Sequence, residues 1–235
     1  MRKIWIKTVL IVVSVALLFS SSIYFFGFYL PEKREREENE RLIKEYYENK
    51  LVTYAEENAL YGEYEVDVAF LGDSLTDGYD LNTYYPQYKT ANRGIGGDTT
   101  HGLESRLEVS LYDLKPKIAV ILIGGNNLDT MFENYERMIC SIREKLPETK
   151  IILCSLTAMG RNFAQKNEIA CYNNVIIKKL ADKYECEFVD LYTPLFDISI
   201  QEICADYTSD GVHFTNEGYR VFTDTLTPVI EKLME

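Results

Sequence analysis

The sequence predicts a three-layer α/β/α sandwich built on a parallel sheet of about five strands. Three observations predict it. Short, nearly continuous apolar runs recur along the chain, stretches of helical periodicity separate them, and glycines close several of the runs. Runs without polar alternation suit strands covered on both faces, as parallel strands are. Their alternation with helices then places helices on both sides of the sheet.

Residues 8–30 come first and carry no charge. As a helix they span about 35 Å, enough to cross a hydrocarbon core of about 30 Å. Trp5 at one end, and Tyr24 and Tyr29 near the other, suit the two interfaces. A cleaved secretory signal is the alternative; its apolar region is usually shorter, and no clear small-x-small site precedes Pro31. The expectation is a single N-terminal transmembrane helix, a signal anchor over residues 1–30, with the body outside the cytoplasm. Arg2, Lys3 and Lys7 favour that orientation, and Lys33, Arg34, Arg36 and Arg41 weaken it.

Residues 31–62 read as a charged helical juxtamembrane stalk. Leu42, Ile43, Tyr46 and Tyr47 form an apolar stripe at helical spacing that would dock on the body, in what is otherwise a solvated spacer. Residues 63–235 form the body, long enough for one core.

Within the body, strands are expected over residues 66–71, 118–123, 151–156 and 187–191, with a weaker candidate at 89–92. Helices are expected over 99–111, 129–146, 165–184 and 217–234, and Pro228 marks a break or the start of a last short helix. A flavodoxin-like strand order follows, with ligands bound at the carboxyl ends of the strands.

After position 30 the chain has 22 basic and 37 acidic residues, a net −15. Such a body repels phosphate backbones, so nucleic acid is not an expected partner. Five cysteines, without a CxxC pair, argue against metal or redox chemistry. Cys140 and Cys154 are expected to be buried thiols, and a Cys186–Cys204 bridge stays open.

The chemistry-bearing residues fall after the strands. The first strand runs into Gly72-Asp73-Ser74-Leu75, which puts a hydroxyl at a strand's carboxyl end. The plain alternative is a helix cap by Asp73, Ser74 or Thr76. A serine nucleophile needs a base and an oxyanion site. The chain has two histidines, His101 and His213. His213 follows Asp210 by three residues, so a tight turn lets the carboxylate reach Nδ1 while Nε2 faces the serine. The alternative is a surface turn histidine. His101 lacks such a carboxylate and is left a structural or substrate-rim role. Two loops can supply oxyanion donors: the glycine-rich stretch from Asn92 to Asp98, and Gly124-Gly125-Asn126-Asn127. Either could be an ordinary turn.

These blocks, in this order over roughly residues 64–235, resemble the SGNH hydrolases, the GDSL-type esterases and lipases. The resemblance implies a catalytic triad of Ser74, His213 and Asp210. It implies an oxyanion hole from Ser74, Gly97 and Asn126, and no metal or organic cofactor. Asn127 stands where most members have Asp. The Gly-Ile-Gly-Gly-Asp-Thr-Thr string and the Asn-Asn pair are similar to the branch holding the platelet-activating-factor acetylhydrolase catalytic subunits. That branch removes short acyl groups, chiefly acetyl. The expected function is therefore hydrolysis of short acyl esters, with a small-molecule or glycan ester as substrate and a membrane contact through the N-terminal helix. Two alternatives are a non-catalytic binding module that keeps the fold and an acyltransferase that uses the same residues.

Overall fold

The computed structural model describes residues 5–6, 14, 17, 19–20 and 24–235. Most of the span expected at 8–30 lies outside the described residues, so the expected anchor does too. Among the described residues no helix is long and apolar enough to cross a membrane. The chain forms two compact units, residues 1–49 and 50–235. Helix α1 (Leu30–Asn58) contributes its residues 50–58 to the second unit. The apolar stripe does not become a buried face: Leu42 is 49% exposed and Ile43 66%. The surrounding Glu, Lys and Arg leave it too little apolar area to exclude water. The buried positions of α1 are Tyr54 and Asn58.

The second unit is a five-stranded parallel sheet, β1 (Val68–Gly72), β2 (Thr90–Gly94), β3 (Ile118–Leu122), β4 (Lys150–Cys154) and β5 (Glu187–Val189). The order is β2-β1-β3-β4-β5, the expected flavodoxin-like arrangement. Register places Leu71 beside Ile121 and Ile121 beside Leu153. These residues face one core with the apolar sides of α4 (Thr100–Ser105), α5 (Phe132–Lys145) and α6 (Asn167–Lys183). Val68, Phe70 and Val120 point the other way, because strand side chains alternate. They face a second core with α2 (Ser74–Asp77), α3 (Leu81–Tyr84) and α8 (Asn216–Met234). Helix α7 (Tyr192–Leu195) and a small antiparallel pair, β6 (Phe196–Asp197) and β7 (Glu202–Ile203), follow the sheet. Of the tyrosines, Tyr79, Tyr85 and Tyr219 pack with Phe70 and Phe222 in the second core.

Three expectations need correction. The helix expected over 99–111 stops at Ser105, and a separate π-helical turn spans Glu108–Tyr112. The interruption lies at Arg106, whose buried guanidinium is committed to groups beneath the sheet's carboxyl edge. Pro228 does not break α8, which runs unbroken to Met234. Phe222, Leu226 and Ile230 repeat every fourth residue and hold one buried face across the proline. Cys140 is exposed, not buried. Tyr135, Met138, Ile139 and Ile142 occupy the inner face of α5, and position 140 falls off it. Cys186 and Cys204 are both free thiols, so they are not bridged.

Candidate active site

The site lies at the carboxyl edge of the sheet, where β1 ends. Asp73 caps α2 by accepting from the Leu75 N–H at 3.1 Å. This fixes the short helix that starts with Ser74. Tyr219 of α8 also donates to the Leu75 carbonyl, at 3.0 Å. The Ser74 N–H, the first of its helix, has no acceptor among the described residues.

Asp210 and His213 share a tight turn before α8. One Asp210 oxygen accepts the backbone N–H groups of Val212 at 2.9 Å and His213 at 2.8 Å. The other lies 2.7 Å from His213 Nδ1. His213 Nε2 lies 3.0 Å from Ser74 Oγ. With the proton on Nδ1 facing the carboxylate, Nε2 accepts from the serine hydroxyl. The hydrogen bond from the imidazole, with the two backbone N–H groups adding to it, holds the Asp210 carboxyl down to about 2. The turn closes on itself through Thr208, whose hydroxyl donates to the His213 carbonyl and accepts from the Gly211 N–H. Its outer wall touches Gly160, whose N–H donates to the Gly211 carbonyl at 2.8 Å.

The glycine loop after β2 supplies the opposite wall. A Cβ at Gly94 would lie 2.1 Å from the Asp77 nitrogen, so only glycine lets β2 approach α2 this closely. Gly97 adopts φ +77°, and a Cβ there would meet nothing. Glycine is needed at 97 for backbone conformation, not for room. The Gly97 N–H has no acceptor among the described residues. Asn126 donates one amide hydrogen to the Asp98 carbonyl at 2.8 Å, which orients the carboxamide and leaves its second hydrogen for a ligand. Asn127 exchanges hydrogen bonds with Thr100, accepting its backbone N–H at 3.3 Å and donating to its hydroxyl at 3.0 Å. An Asp there could accept but not donate, which gives Asn127 a local reason.

The structure thus brings together Ser74, His213 and Asp210, with Asn126 lining the same pocket. Gly97 sits on the adjacent loop. His101 is exposed and does not line the pocket. Of two residues beneath the site, one escaped the sequence reading and the other was read only as a helix cap. Arg106, 2% exposed, donates to Asp98 at 2.8 Å, to the Arg93 carbonyl at 2.9 Å, to Ser110 at 2.8 Å and to the Gly72 carbonyl at 3.0 Å. It joins the ends of β1 and β2 to the residue that orients Asn126. Asp73 is the other: burial pushes its carboxyl up to about 6, with Asp98 adding to the rise. A lone arginine in a helical pattern gives no signal of such a role, and Asp73 is legible only as a cap.

Beside Ser74 opens an apolar recess of about 160 Å³, walled by Leu122, Leu156, Met159, Phe163 and Val212. A second recess adjoins it across Gly125, Asn126 and Lys166, lined further by Asn127, Leu128, Asp129 and Thr130.

Comparisons with known proteins identify the family. The GDSL-like lipase/acylhydrolase family model matches residues 70–221. The human platelet-activating factor acetylhydrolase IB subunit alpha2 is 30% identical over 183 residues, covering 73% of this chain and 79% of that protein. A GDSL-like lipase from Bacteroides thetaiotaomicron superposes with TM-score 0.68 at 27% identity, over 77% of this chain and 97% of that one. An acetylxylan esterase from Geobacillus stearothermophilus shares the fold, with TM-score 0.59 at 21% identity over 72% of this chain and 95% of that one. A serine-bearing strand end, a glycine loop and an Asn-bearing loop meet an Asp-x-x-His turn within this matched span; the chain belongs to the GDSL-like lipase/acylhydrolase family and is a carboxylic ester hydrolase.

Proposed function

We propose that Ser74, His213 and Asp210 are the catalytic triad of an esterase for short acyl groups, acetyl above all. The observation that carries the reading is the unbroken hydrogen-bond path from Asp210 through His213 to Ser74 at the mouth of the apolar recess. Ser74 Oγ attacks the acyl carbonyl as His213 Nε2 takes its proton. Asp210 stays ionised and stabilises the imidazolium. The N–H groups of Ser74 and Gly97 and the Asn126 carboxamide receive the developing oxyanion. His213 then protonates the leaving alcohol, and a water activated by the same imidazole releases the acyl-enzyme.

Two features support a short acyl group on a polar alcohol. A recess of about 160 Å³ is close to the volume of a cavity that admits one benzene. The adjoining recess offers amide, hydroxyl, carboxylate and ammonium groups, which suit a hydroxylated alcohol such as a glycan. The acetylated substrate classes in the names of the relatives point the same way. The uncharged residues 8–30 support attachment to a membrane with the catalytic unit on its outer face. Protease shaving of intact cells should remove the activity if so; protection from protease would place it inside.

The test uses the full chain in detergent. p-Nitrophenyl acetate should be hydrolysed far faster than the octanoate or decanoate, and a fluorophosphonate should label Ser74. Ser74→Ala should lower kcat by more than about 10⁴-fold. Equal rates across chain lengths would defeat the short-acyl reading. An unchanged Ser74→Ala enzyme would defeat the triad.

A further inference from the structure

The family match begins at residue 70. Four residues well ahead of it reach the oxyanion side of the site. Tyr54, 3% exposed, donates from its hydroxyl to the Gly94 carbonyl at 2.5 Å. The Arg93 guanidinium lies 4.6 Å from the centre of the Tyr54 ring. It also donates to Glu57 at 2.5 Å and to Asn58 at 3.0 Å, with its side chain fully buried. Lys50 pairs with one Asp77 oxygen at 2.5 Å, and the other Asp77 oxygen accepts the Gly96 N–H at 3.2 Å. Asp77 is the last residue of the helix that Ser74 opens.

These contacts converge on one stretch of backbone, Gly94 to Gly97. Buried Ile95 anchors it to the Gly72 carbonyl at 3.1 Å, but the other three of its four residues are glycines. Glycine gives the loop its shape and also leaves it the most conformational freedom. Oxyanion donors work only when they are fixed before charge develops, since reorganisation at that moment costs the stabilisation they provide. Contacts from outside the loop on the glycines flanking Ile95 add to that anchor.

We infer that residues 50–58 are a positioning element of the active site. Tyr54 holds the start of the loop, and Lys50, through Asp77, holds its middle and the nucleophile's helix together. Together they set where the Gly97 N–H points. This rests on the oxyanion role proposed for Gly97.

The test compares the full chain with Tyr54→Phe, Lys50→Met and Lys50→Arg, all assayed below their unfolding temperatures. Tyr54→Phe keeps the ring under Arg93 and removes only the hydroxyl. Tyr54→Phe and Lys50→Met should each lower kcat on p-nitrophenyl acetate by about 10-fold or more. KM should stay within about two-fold, because the lost interaction is made in the transition state. Inhibition by ethylboronic acid, which forms a tetrahedral adduct on a nucleophilic serine, should weaken by the same factor as kcat/KM falls. Lys50→Arg should restore most of both. Folded variants with unchanged kcat and unchanged boronate affinity, altered only in melting temperature, would overturn the positioning role while leaving the esterase reading intact. An inert wild-type chain would overturn both.

Discussion

The two walls of the active site are built on opposite principles. The proposed oxyanion wall presents the exposed Gly97 and Asn126 on a buried, cross-linked support. Arg106 and Asp98 are an ion pair with side chains 1% and 4% exposed, and Arg106 makes further hydrogen bonds to two strand ends. The wall that carries the proposed base is open: the His213 and Asp210 side chains are 51% and 50% exposed and are held by a turn of a few residues. The contrast extends to the carboxylates. Asp73, on the floor, is pushed up to about 6 by burial, whereas Asp210, in the turn, is held down to about 2 by its hydrogen bonds. The proposed oxyanion donors are held from beneath by a buried ion pair, and the proposed base is held only by its own turn.

Breaking the buried wall should have the largest effect on the fold. Arg106→Met leaves Asp98 buried without its cation and frees two strand-end carbonyls. It should cost about 3–5 kcal/mol of stability, read from urea unfolding at neutral pH. A loss below about 1 kcal/mol would mean that the pair is not the clamp described here. Asn126→Ala removes one donor and leaves the base wall untouched. It should lower kcat by about 10²–10³-fold, or about 3–4 kcal/mol in the barrier, with little change in melting temperature. An Asn126→Ala enzyme with wild-type kcat would show that the wall's contribution lies in its backbone donors alone.

A subtler way to sharpen the contrast is through pH. Asp73 ordinarily titrates at 3.8 and is raised to about 6, so the folded protein holds that proton more tightly than the unfolded chain does. Stability from this group is therefore lost as pH rises through the window from about 4 to about 6. The shift corresponds to at most about 3 kcal/mol. Asp73→Asn should remove this slope, so its stability relative to wild type should improve between pH 4 and pH 7. Parallel curves for the two proteins would contradict it. Asp210 has the opposite sign. Its contribution is present above 3.8 and is lost only as pH falls toward about 2, outside the Asp73 window.

The sheet was legible in the sequence because burial on both faces writes itself as apolar runs. The 118–123 run and strand β3 differ by one residue. The pairing of Asp210 with His213 was legible because it is local, three residues apart. What stayed hidden depends on partners far along the chain. Tyr54 meets Gly94 across 40 residues and Arg106 meets Gly72 across 34, and no periodicity marks either. The break after Ser105 was hidden for the same reason, since its helical pattern is sound locally and Arg106 serves a tertiary network instead. Pro228 misled in the other direction. Its local penalty is real, but one continuous buried face outweighs it.

The backbone contact between Gly160 and Gly211 has a consequence for how such an enzyme can diversify. A Cβ at Gly211 would sit 2.4 Å from the Gly160 carbonyl oxygen, so the two segments touch without slack. The stretch that begins at Gly160 carries Phe163 and Lys166, and the stretch around Gly211 carries the proposed general base. Enlarging the pocket by shifting the first therefore also shifts the second. A lineage that selects for bulkier esters by this route would inherit a slower or differently timed proton transfer, whereas one that trims Leu156 or Leu122 on the sheet side would not.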